Sequence, residues 1–247
     1  AAILLKIPYY LQEQNCTMGQ ANRYFYKWAE KVFIAFENTL NNIPEKYKAK
    51  FVTTGNPLRK EFYTKNKEEE RKKLNISKEE RVILVIGGSL GAKSINEAIA
   101  KKWKDIISKK EIKLFWGTGK ENFEEGTFRM QNFGNSVVKP YFNNVADIMA
   151  AADLVMCRAG ASTISELIQL EKPSILIPYD FVGQKENADV LEYADASRIF
   201  TNEMAEKAVA EALVLVKQEE ILKFMEGNLK KLKKGNAAEL IIAEMGL

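Results

Sequence analysis

Histidine is absent from this chain of 247 residues. Because histidine is the commonest general base and the commonest metal ligand, we expect proton transfer to use carboxylates, water or a segment missing from this chain, and we expect no metal site. Cysteine is scarce as well, since Cys16 and Cys157 are the only two. They lie far apart and form neither a disulfide framework nor a metal-ligand pattern, which predicts a reducing compartment.

Long apolar runs and a strong charge imbalance are also missing. No stretch reaches about 18 apolar residues, so we expect no transmembrane helix, and the start lacks the features of a signal peptide. The 37 basic and 33 acidic residues give a net charge of +4. This balance fits attraction to phosphates, nucleotides or an anionic membrane surface, but it does not predict nucleic-acid binding. The chain begins Ala-Ala without Met, so we expect a processed, engineered or partial chain.

Short apolar strands alternate with helical segments through most of the chain. The strand candidates are residues 82–86, 113–116, 136–139, 153–157 and 174–177. This alternation predicts an α/β fold with a doubly wound parallel sheet. The turn signal Gly55-Asn56-Pro57 separates this part from an earlier α/β fragment, so we predict two domains, 1–56 and 57–247.

Ligands of such a sheet bind beyond the carboxyl ends of its strands. The strand at 82–86 ends in Gly87-Gly88-Ser89-Leu90-Gly91 and leads into a helix. The glycines allow close approach of the backbone, the helix start offers free N–H groups, and Ser89 can donate to a phosphate oxygen. A phosphate site is therefore one interpretation, and a plain connection of an α/β fold is the other.

A second turn, after residues 153–157, runs from Arg158 to Glu166 and is crowded with small residues. Its N–H groups can face a diphosphate or the edge of a uracil. Glu166, one turn into the helix, can accept hydrogen bonds from two neighbouring ribose hydroxyls. The alternative is that the Glu166 carboxylate interacts favourably with the helix dipole or forms a capping box with Ser162 or Thr163.

Two further features carry polar side chains that could bind a ligand. Gln184 and Asn187 are three residues apart on one helix face, so their amides could bind the hydroxyls of a pyranose, although an ordinary surface helix has the same pattern. Arg59 follows the turn at Gly55 and is a candidate phosphate clamp or else part of a surface ion pair.

Five segments together resemble the MurG family, in the same order along the chain. They are Leu11-Gln12-Glu13-Gln14-Asn15 with Gly19 and Asn22-Arg23, Gly55-Asn56-Pro57-Leu58-Arg59, Gly87-Gly88-Ser89-Leu90-Gly91-Ala92, Cys157-Arg158-Ala159-Gly160-Ala161 through Ser165-Glu166, and Gln184-Lys185-Glu186-Asn187-Ala188. The resemblance covers nearly the whole chain and implies the two-domain GT-B fold. It implies a complete C-terminal donor domain and an N-terminal acceptor domain of which only the tail is present.

The resemblance also implies a binding site for UDP-N-acetylglucosamine (UDP-GlcNAc). Ser89 and Arg59 would contact the diphosphate, and the backbone at Phe142 would contact the uracil. The nucleotide would lie on the segment that begins at the helix start, with Glu166 on the ribose: Ala161, Ser162, Thr163, Ile164 and Ser165. The GlcNAc hydroxyls would meet Gln184, with Asn187 beside it, while Asn15 would reach the sugar or acceptor from across the cleft. Glu13 is the cleft-side carboxylate that we nominate as the base.

For the activity, the resemblance implies inverting transfer of GlcNAc from UDP-GlcNAc to the C4 hydroxyl of undecaprenyl-diphospho-MurNAc-pentapeptide, in peptidoglycan synthesis. It implies a hexosyltransferase that binds the cytoplasmic face of the membrane peripherally. No metal-binding Asp-X-Asp pattern follows a strand, which suits a mechanism without metal or cofactor. We expect this chain to be the donor-binding part and to turn over poorly alone.

Two positions depart from the family pattern, which commonly has His at the position of Gln12 and an amide residue at that of Gly183. Two other functions stay open: a UDP-sugar-binding module that needs a separate acceptor partner, and a diacylglycerol glycosyltransferase. A dinucleotide oxidoreductase is disfavoured, because the turn from Gly87 to Gly91 lacks the Gly-X-Gly-X-X-Gly spacing.

Overall fold

The strands form two parallel sheets in the residues that the computed structural model describes, which are 1–88, 90–120, 134–179 and 183–246. The small sheet has the order β1-β2-β3 and consists of β1 (Leu11–Glu13), β2 (Val32–Ile34) and β3 (Phe51–Thr53). The large sheet has the order β6-β5-β4-β7-β8-β9 and consists of β4 (Arg81–Ile86), β5 (Ile112–Gly117), β6 (Ser136–Lys139), β7 (Leu154–Cys157), β8 (Ser174–Leu176) and β9 (Ser197–Ile199).

Helices connect these strands and cover the large sheet. They are α1 (Gln20–Phe25), α2 (Glu45–Lys48), α3 (Glu61–Thr64), α4 (Lys67–Lys73), α5 (Lys93–Lys101), α6 (Trp103–Ile107), α7 (Val145–Ala151), α8 (Ala161–Leu170), α9 (Gln184–Glu192), α10 (Ala205–Leu215), α11 (Glu219–Leu232) and α12 (Ala237–Met245). In the described ranges, no helix combines the length and the apolar character that crossing a bilayer requires.

Both faces of the large sheet are buried. Ile83 and Val85 of β4 point into a core that also contains side chains of α5, α10 and α11. Val82 and Leu84 point to the opposite side, into a core shared with α7 and α8. A strand that is covered on both faces needs apolar residues at every position, which explains the continuous apolar run of β4.

The strand order creates a crevice at the carboxyl edge of the large sheet. From β4 the chain proceeds to β5 on one side, while β7 pairs with the other side of β4. The loops that follow β4 and β7 therefore diverge, and ligands of doubly wound sheets bind at such a switch point.

The predicted doubly wound parallel sheet is confirmed, with differences in its parts. Two helices, α5 and α6, follow β4 and meet at Lys102. Before β4, the charged segment forms the short helices α3 and α4, in which Glu70 is buried. Strands β3 and β9 were missed, and residues 121–133 lie outside the described residues. The predicted boundary at 56/57 falls between the two sheets, and the division into two domains stays a prediction.

Candidate active site

A pocket of about 200 Å³ lies at the switch point of the large sheet. It is lined by the ends of β4 and β5, the turn after β6, the start of α8 and the linker between the sheets: Ile86, Gly88, Gly117, Pro140, Tyr141, Phe142, Val145, Ser162, Thr163, Glu166 and Arg59. Segments that are far apart in sequence thus form one concave surface, because the carboxyl ends of parallel strands share an edge.

The turn after β4 needs its glycines. Gly88 and Gly91 have φ values of +86° and +83°, which side chains rarely adopt. A Cβ on Gly87 would lie 2.3 Å from the backbone N of Ala92, so only glycine fits this tight turn. The glycines leave the backbone of the turn uncovered at these positions, and the close approach of a ligand stays a prediction. Ser89 lies outside the described residues, so its contact with a diphosphate stays a prediction.

A buried polar network beneath this turn was missed at the sequence level. The indole Nε1 of Trp116 donates to Asn96 Oδ1 at 2.9 Å, and Asn96 Nδ2 donates to the carbonyl of Thr118 at 2.7 Å. These bonds fix the Gly117-Thr118-Gly119 turn, where a Cβ on Gly119 would lie 2.3 Å from the N atom of Gly91. The turn after β5 therefore supports the glycine turn after β4, and the two glycines of the Gly-Thr-Gly sequence were the available signal.

The start of α8 presents one side to the pocket. No side chain of the described residues caps this helix at Gly160, so its first N–H groups are available to an anion. Ser162, Thr163 and Glu166 line the pocket, as their helical spacing allows. Ile164 is fully buried in the core, and the hydroxyl of Ser165 donates to the Ala161 carbonyl at 3.0 Å. Their side chains therefore do not line the pocket, and a contact of Ile164 and Ser165 with a nucleotide through the backbone stays a prediction.

Glu166 and Arg59 are the charged residues of the pocket lining. Burial raises the pKa of Glu166 to about 7, while the positive charge of Arg59 acts in the opposite direction and Glu61 adds to the rise. The guanidinium of Arg59 pairs with Glu61 at 3.0 Å and lies over the Phe62 ring at 5.3 Å. Arg59 therefore forms the ion pair that was one of its two predicted roles, and the residue also lines the pocket.

Gln184 is half-buried at the start of α9, and its Oε1 accepts a hydrogen bond from the backbone N–H of Tyr179 at 3.1 Å. Asn187 is 0% exposed, and both ends of its amide bond to protein groups. This placement does not favour Asn187 as a sugar contact. Helical spacing puts the two residues on one side of α9, but only the packing of neighbouring segments decides which of them solvent can reach.

Arg158 has a role that the sequence did not indicate. Its guanidinium donates to the Ile177 carbonyl at 2.8 Å, to Asn202 Oδ1 at 2.7 Å and to the Ser94 hydroxyl at 3.1 Å. It also lies 4.0 Å from the centre of the Tyr179 ring. Arg158 thus links the starts of two helical segments to the loop after β8, which leads to Gln184.

The residues predicted near the small sheet lie at the joint between the two sheets. Glu13 is 3% exposed, and its carboxylate accepts hydrogen bonds from the N–H groups of Asn15 (3.0 Å) and Gly19 (2.8 Å) and from Asn22 Nδ2 (2.9 Å). These bonds favour a structural role for Glu13 over proton transfer. Asn15 is half-buried, and its Oδ1 accepts a hydrogen bond from Asn187.

Phe142 closes the far side of the pocket. Its ring is buried edge-on against Phe115, with centroids 6.1 Å apart, and lies 3.5 Å from the position of a Cβ on Gly117. A Cβ on Gly117 would be in ordinary van der Waals contact with this ring. The buried ring lies in the turn after β6, and the contact of its backbone with uracil, which the resemblance to the family implies, stays a prediction.

Comparison with known proteins gives consistent results. Residues 82–241 match the glycosyltransferase family 28 C-terminal domain. An enzyme of Fusobacterium nucleatum, named UDP-N-acetylglucosamine–N-acetylmuramyl-(pentapeptide) pyrophosphoryl-undecaprenol N-acetylglucosamine transferase, is 47% identical over the whole of this chain, which spans 70% of that relative. The enzyme of the same name from Acetivibrio thermocellus is 36% identical over 96% of this chain, which spans 66% of that relative.

The fold agrees with these relatives. The crystal structure of MurG from Acinetobacter baumannii superposes with a TM-score of 0.74 at 23% identity, covering all of this chain and 70% of that one. This likeness confirms the predicted Rossmann-like GT-B architecture. Together with the family match and the identity to the curated enzymes, it shows that the chain belongs to the MurG family of N-acetylglucosamine transferases.

Proposed function

We propose that this protein transfers GlcNAc from UDP-GlcNAc to the C4 hydroxyl of undecaprenyl-diphospho-MurNAc-pentapeptide. The observation that carries the proposal is the pocket at the switch point, where Glu166 and Arg59 border the glycine turn and the uncapped start of α8. A nucleoside diphosphate needs an acceptor for its ribose hydroxyls and donors for its phosphates, and this pocket offers both. The names of the two relatives specify this donor and this acceptor.

Each part of the donor has a proposed partner in this arrangement. The N–H groups at the start of α8, the glycine turn and Arg59 would bind the diphosphate. Glu166 would accept from the ribose hydroxyls, and the amide of Gln184 would bind the GlcNAc hydroxyls. We assign no sugar contact to Asn187, because its amide is buried and bonded within the protein.

The transfer breaks one bond and forms another at C1 of GlcNAc. The acceptor O4 attacks C1, the bond from C1 to the diphosphate oxygen breaks with its electron pair leaving on UDP, and the configuration inverts. The donors named above would stabilise the charge that develops on the leaving diphosphate. The O4 proton needs a base, and we assign none, since both oxygens of Glu13 already hold neighbouring N–H groups.

Calorimetric titration tests the donor site directly. The protein would be titrated with UDP-GlcNAc, UDP-GalNAc, UDP-glucose and NAD, and the variants Glu166→Ala and Gln184→Ala would be compared with Glu192→Ala, an exposed residue of the same helix as Gln184. We expect selective binding of UDP-GlcNAc, a loss of at least about tenfold in affinity in Glu166→Ala, and loss of sugar selectivity in Gln184→Ala. Binding of NAD, or of no UDP compound, contradicts the proposal.

An acceptor assay separates the remaining functions. If UDP-GlcNAc binds and a lipid-linked muramoylpentapeptide receives GlcNAc, the transferase proposal holds for the chain by itself. Binding without transfer to this acceptor leaves the donor-binding module that needs an acceptor partner. Transfer to diacylglycerol identifies the third alternative.

We further propose that the protein binds the cytoplasmic membrane surface peripherally, through the aromatic side chains of α1 and the turn that follows it. Tyr24, Phe25 and Trp28 are exposed, and the ring of Tyr24 lies 4.9 Å from Phe25 and 5.8 Å from Trp28. Arg23 and Lys27 are exposed in the same segment. Aromatic rings beside basic side chains suit the interface of an anionic bilayer.

Tryptophan fluorescence with anionic vesicles tests this surface. Trp28 is 50% exposed while Trp103 and Trp116 are buried, so a blue shift on addition of phosphatidylglycerol vesicles would report Trp28. We expect the shift in the native protein and its absence in Trp28→Phe. A native protein that neither shifts nor co-sediments with the vesicles contradicts the proposed surface.

A further inference from the structure

Residues 12–19, here called the crossing segment, comprise the end of β1 and the loop that follows it, and they lie against the helices of the large sheet. Asn187 of α9 is the main contact. Its Oδ1 accepts from the N–H of Cys16 at 2.8 Å, while its Nδ2 donates to Asn15 Oδ1 at 3.1 Å and to the Ala159 carbonyl at 3.3 Å. One fully buried amide thus bonds to the crossing segment and to the loop before α8 at the same time.

Asn56, in the linker between the sheets, makes a second bridge. Its Oδ1 accepts from Gln12 Nε2 at 2.9 Å. Its Nδ2 donates to Ser165 Oγ at 2.9 Å and approaches the Ala161 carbonyl at 3.3 Å, and it lies 3.1 Å from the Gln14 carbonyl. The first turn of α8 is therefore joined to both Gln12 and the chain beside it.

Hydrogen bonds within the crossing segment also fix its conformation. The carboxylate of Glu13 accepts hydrogen bonds from the N–H groups of Asn15 and Gly19, so the segment folds back around this side chain. Thr17 reaches the start of α9, where its Cβ lies 3.9 Å from the position of a Cβ on Gly183. Gln184, the proposed sugar contact, is the next residue.

We propose that Asn187 and Asn56 are positioning residues that fasten the crossing segment to α8 and α9 and so set the reach of Asn15 toward the donor sugar. A buried amide is costly unless all its hydrogen bonds are made, so these two side chains strongly favour the docked arrangement. The proposal rests on the proposed function, since it places Asn15 relative to a UDP-GlcNAc that binds at α8 and α9.

Cys16 supplies a reporter of docking that does not depend on activity. Its thiol is buried at the joint, and burial, together with the charges of Glu186 and Asp189, raises its pKa to about 11. Release of the crossing segment would expose the thiol and lower its pKa, and both changes accelerate alkylation. Cys157 is buried in the core of the large sheet, so its protection shows that the fold is intact.

The first experiment is alkylation by N-ethylmaleimide with peptide mass spectrometry of the two cysteines. We expect Asn187→Ala to accelerate modification of Cys16 by about tenfold or more, with Cys157 still protected. Gln12→Ala removes only the bond to Asn56 Oδ1 and should give a smaller acceleration. Glu192→Ala, an exposed change on α9, should give none. An unchanged rate at Cys16 in Asn187→Ala overturns the proposal.

The second experiment compares the affinities for UDP and UDP-GlcNAc by calorimetry. We expect Asn187→Ala to leave UDP binding unchanged and to weaken UDP-GlcNAc by about threefold to tenfold, with no further loss when Asn15→Ala is added. Additive losses would mean that Asn187 acts independently of Asn15, which overturns the proposal. If the native protein binds no UDP compound, the proposed function fails, while alkylation of Cys16 still decides whether the asparagines dock the segment.

Discussion

Glu166 is a half-buried carboxyl group that lines the pocket. Burial raises its pKa to about 7 in spite of Arg59. Ribose hydroxyls donate hydrogen bonds, so they favour the ionised carboxylate, and a donor that binds at pH 6 must first displace a proton. We therefore expect the affinity for UDP-GlcNAc to rise by up to about tenfold from pH 6 to pH 8 and then to level off.

Titration calorimetry between pH 6 and pH 8.5 measures this dependence. Glu166→Gln cannot ionise, so its affinity should be weaker and nearly independent of pH over this range. A native protein whose affinity does not change across pH 7 would contradict the assignment of Glu166 to the ribose.

The same carboxyl group has an effect on stability in the absence of ligand. Because its pKa is higher in the folded state than in the unfolded state, it favours folding at low pH, and this contribution is lost as the pH rises toward 7. Glu166→Gln should therefore be more stable than the native protein at pH 8, by about 1 to 2 kcal/mol, and the difference should vanish near pH 4. Urea unfolding at the two pH values measures it, and an equal difference at both would contradict the raised pKa.

Gly119 supports the glycine turn from below, so Gly119→Ala tests that turn without adding a group to the pocket. The new Cβ would meet the backbone of Gly91 at 2.3 Å, at a φ of +85°. We expect the affinity for UDP-GlcNAc to fall by about tenfold or more, because the backbone of the turn must move. Gly227→Ala is the control, since no atom lies within 4 Å of its Cβ in helix α11. Unchanged affinity in Gly119→Ala would show that the turn does not contact the donor.

At the scale of elements, a buried carboxylate fixes α4 to the large sheet. Asp153 accepts from the N–H of Val82 at 2.7 Å and pairs with Lys67 (2.8 Å) and Arg71 (3.1 Å) of α4. Burial alone would raise the pKa of Asp153, but these two cations and the hydrogen bonds hold it below its ordinary value. Its contribution to stability is thus present at neutral pH and is lost as the pH falls through that lowered pKa.

Asp153→Asn should cost about 2 kcal/mol of unfolding free energy at pH 7, because the amide keeps an acceptor but loses the charge that α4 was paired with. Chemical denaturation at pH 7 and pH 3 is the measurement. The loss should shrink at pH 3, and Glu45→Gln, which removes an exposed pair with Lys48, should have little effect at either pH. A loss of equal size at both values would point to packing rather than charge.

The pattern of apolar residues predicted whether a segment is a helix or a strand more reliably than it predicted where that segment begins and ends. Five of the six strands of the large sheet were predicted within one or two residues, since each contains a run of apolar residues that are mostly buried. Strands β3 and β9 were missed because they are three residues long and partly exposed, so no such run marks them. The break at Lys102 has no sequence signal such as proline or glycine.

At the scale of the whole molecule, the small sheet depends on the large one. Its strands have three residues each, which is shorter than the usual length of about five to six residues, so few hydrogen bonds join them. It is joined to the rest by the crossing segment, by the linker at Asn56 and by α12, where Glu244 pairs with Lys31 at 2.8 Å.

We therefore expect one cooperative unfolding transition. In pulsed alkylation across a urea gradient, Cys16 at the joint and Cys157 in the large core should become reactive at the same midpoint. Far-ultraviolet circular dichroism should give that midpoint too. An earlier exposure of Cys16 would show that the small sheet separates before the large one unfolds.

The sequence by itself determined the fold class, the edge of the sheet at which the pocket lies, and the family. Each of these depends on residues close together in the chain: apolar runs, glycine turns and helix starts. The pocket residues Glu166 and Arg59 were found this way, as was the glycine turn from Gly87 to Gly91.

Only the tertiary structure decided which polar side chains face the pocket and which are interior bridges. Asn187 and Gln184 share a side of one helix, yet Asn187 is sealed by the crossing segment, whose residues lie more than 160 positions earlier in the chain. The Glu13 carboxylate likewise accepts hydrogen bonds from the N–H groups of its own segment. Burial and hydrogen-bond partners depend on contacts between distant segments, and no local pattern contains them.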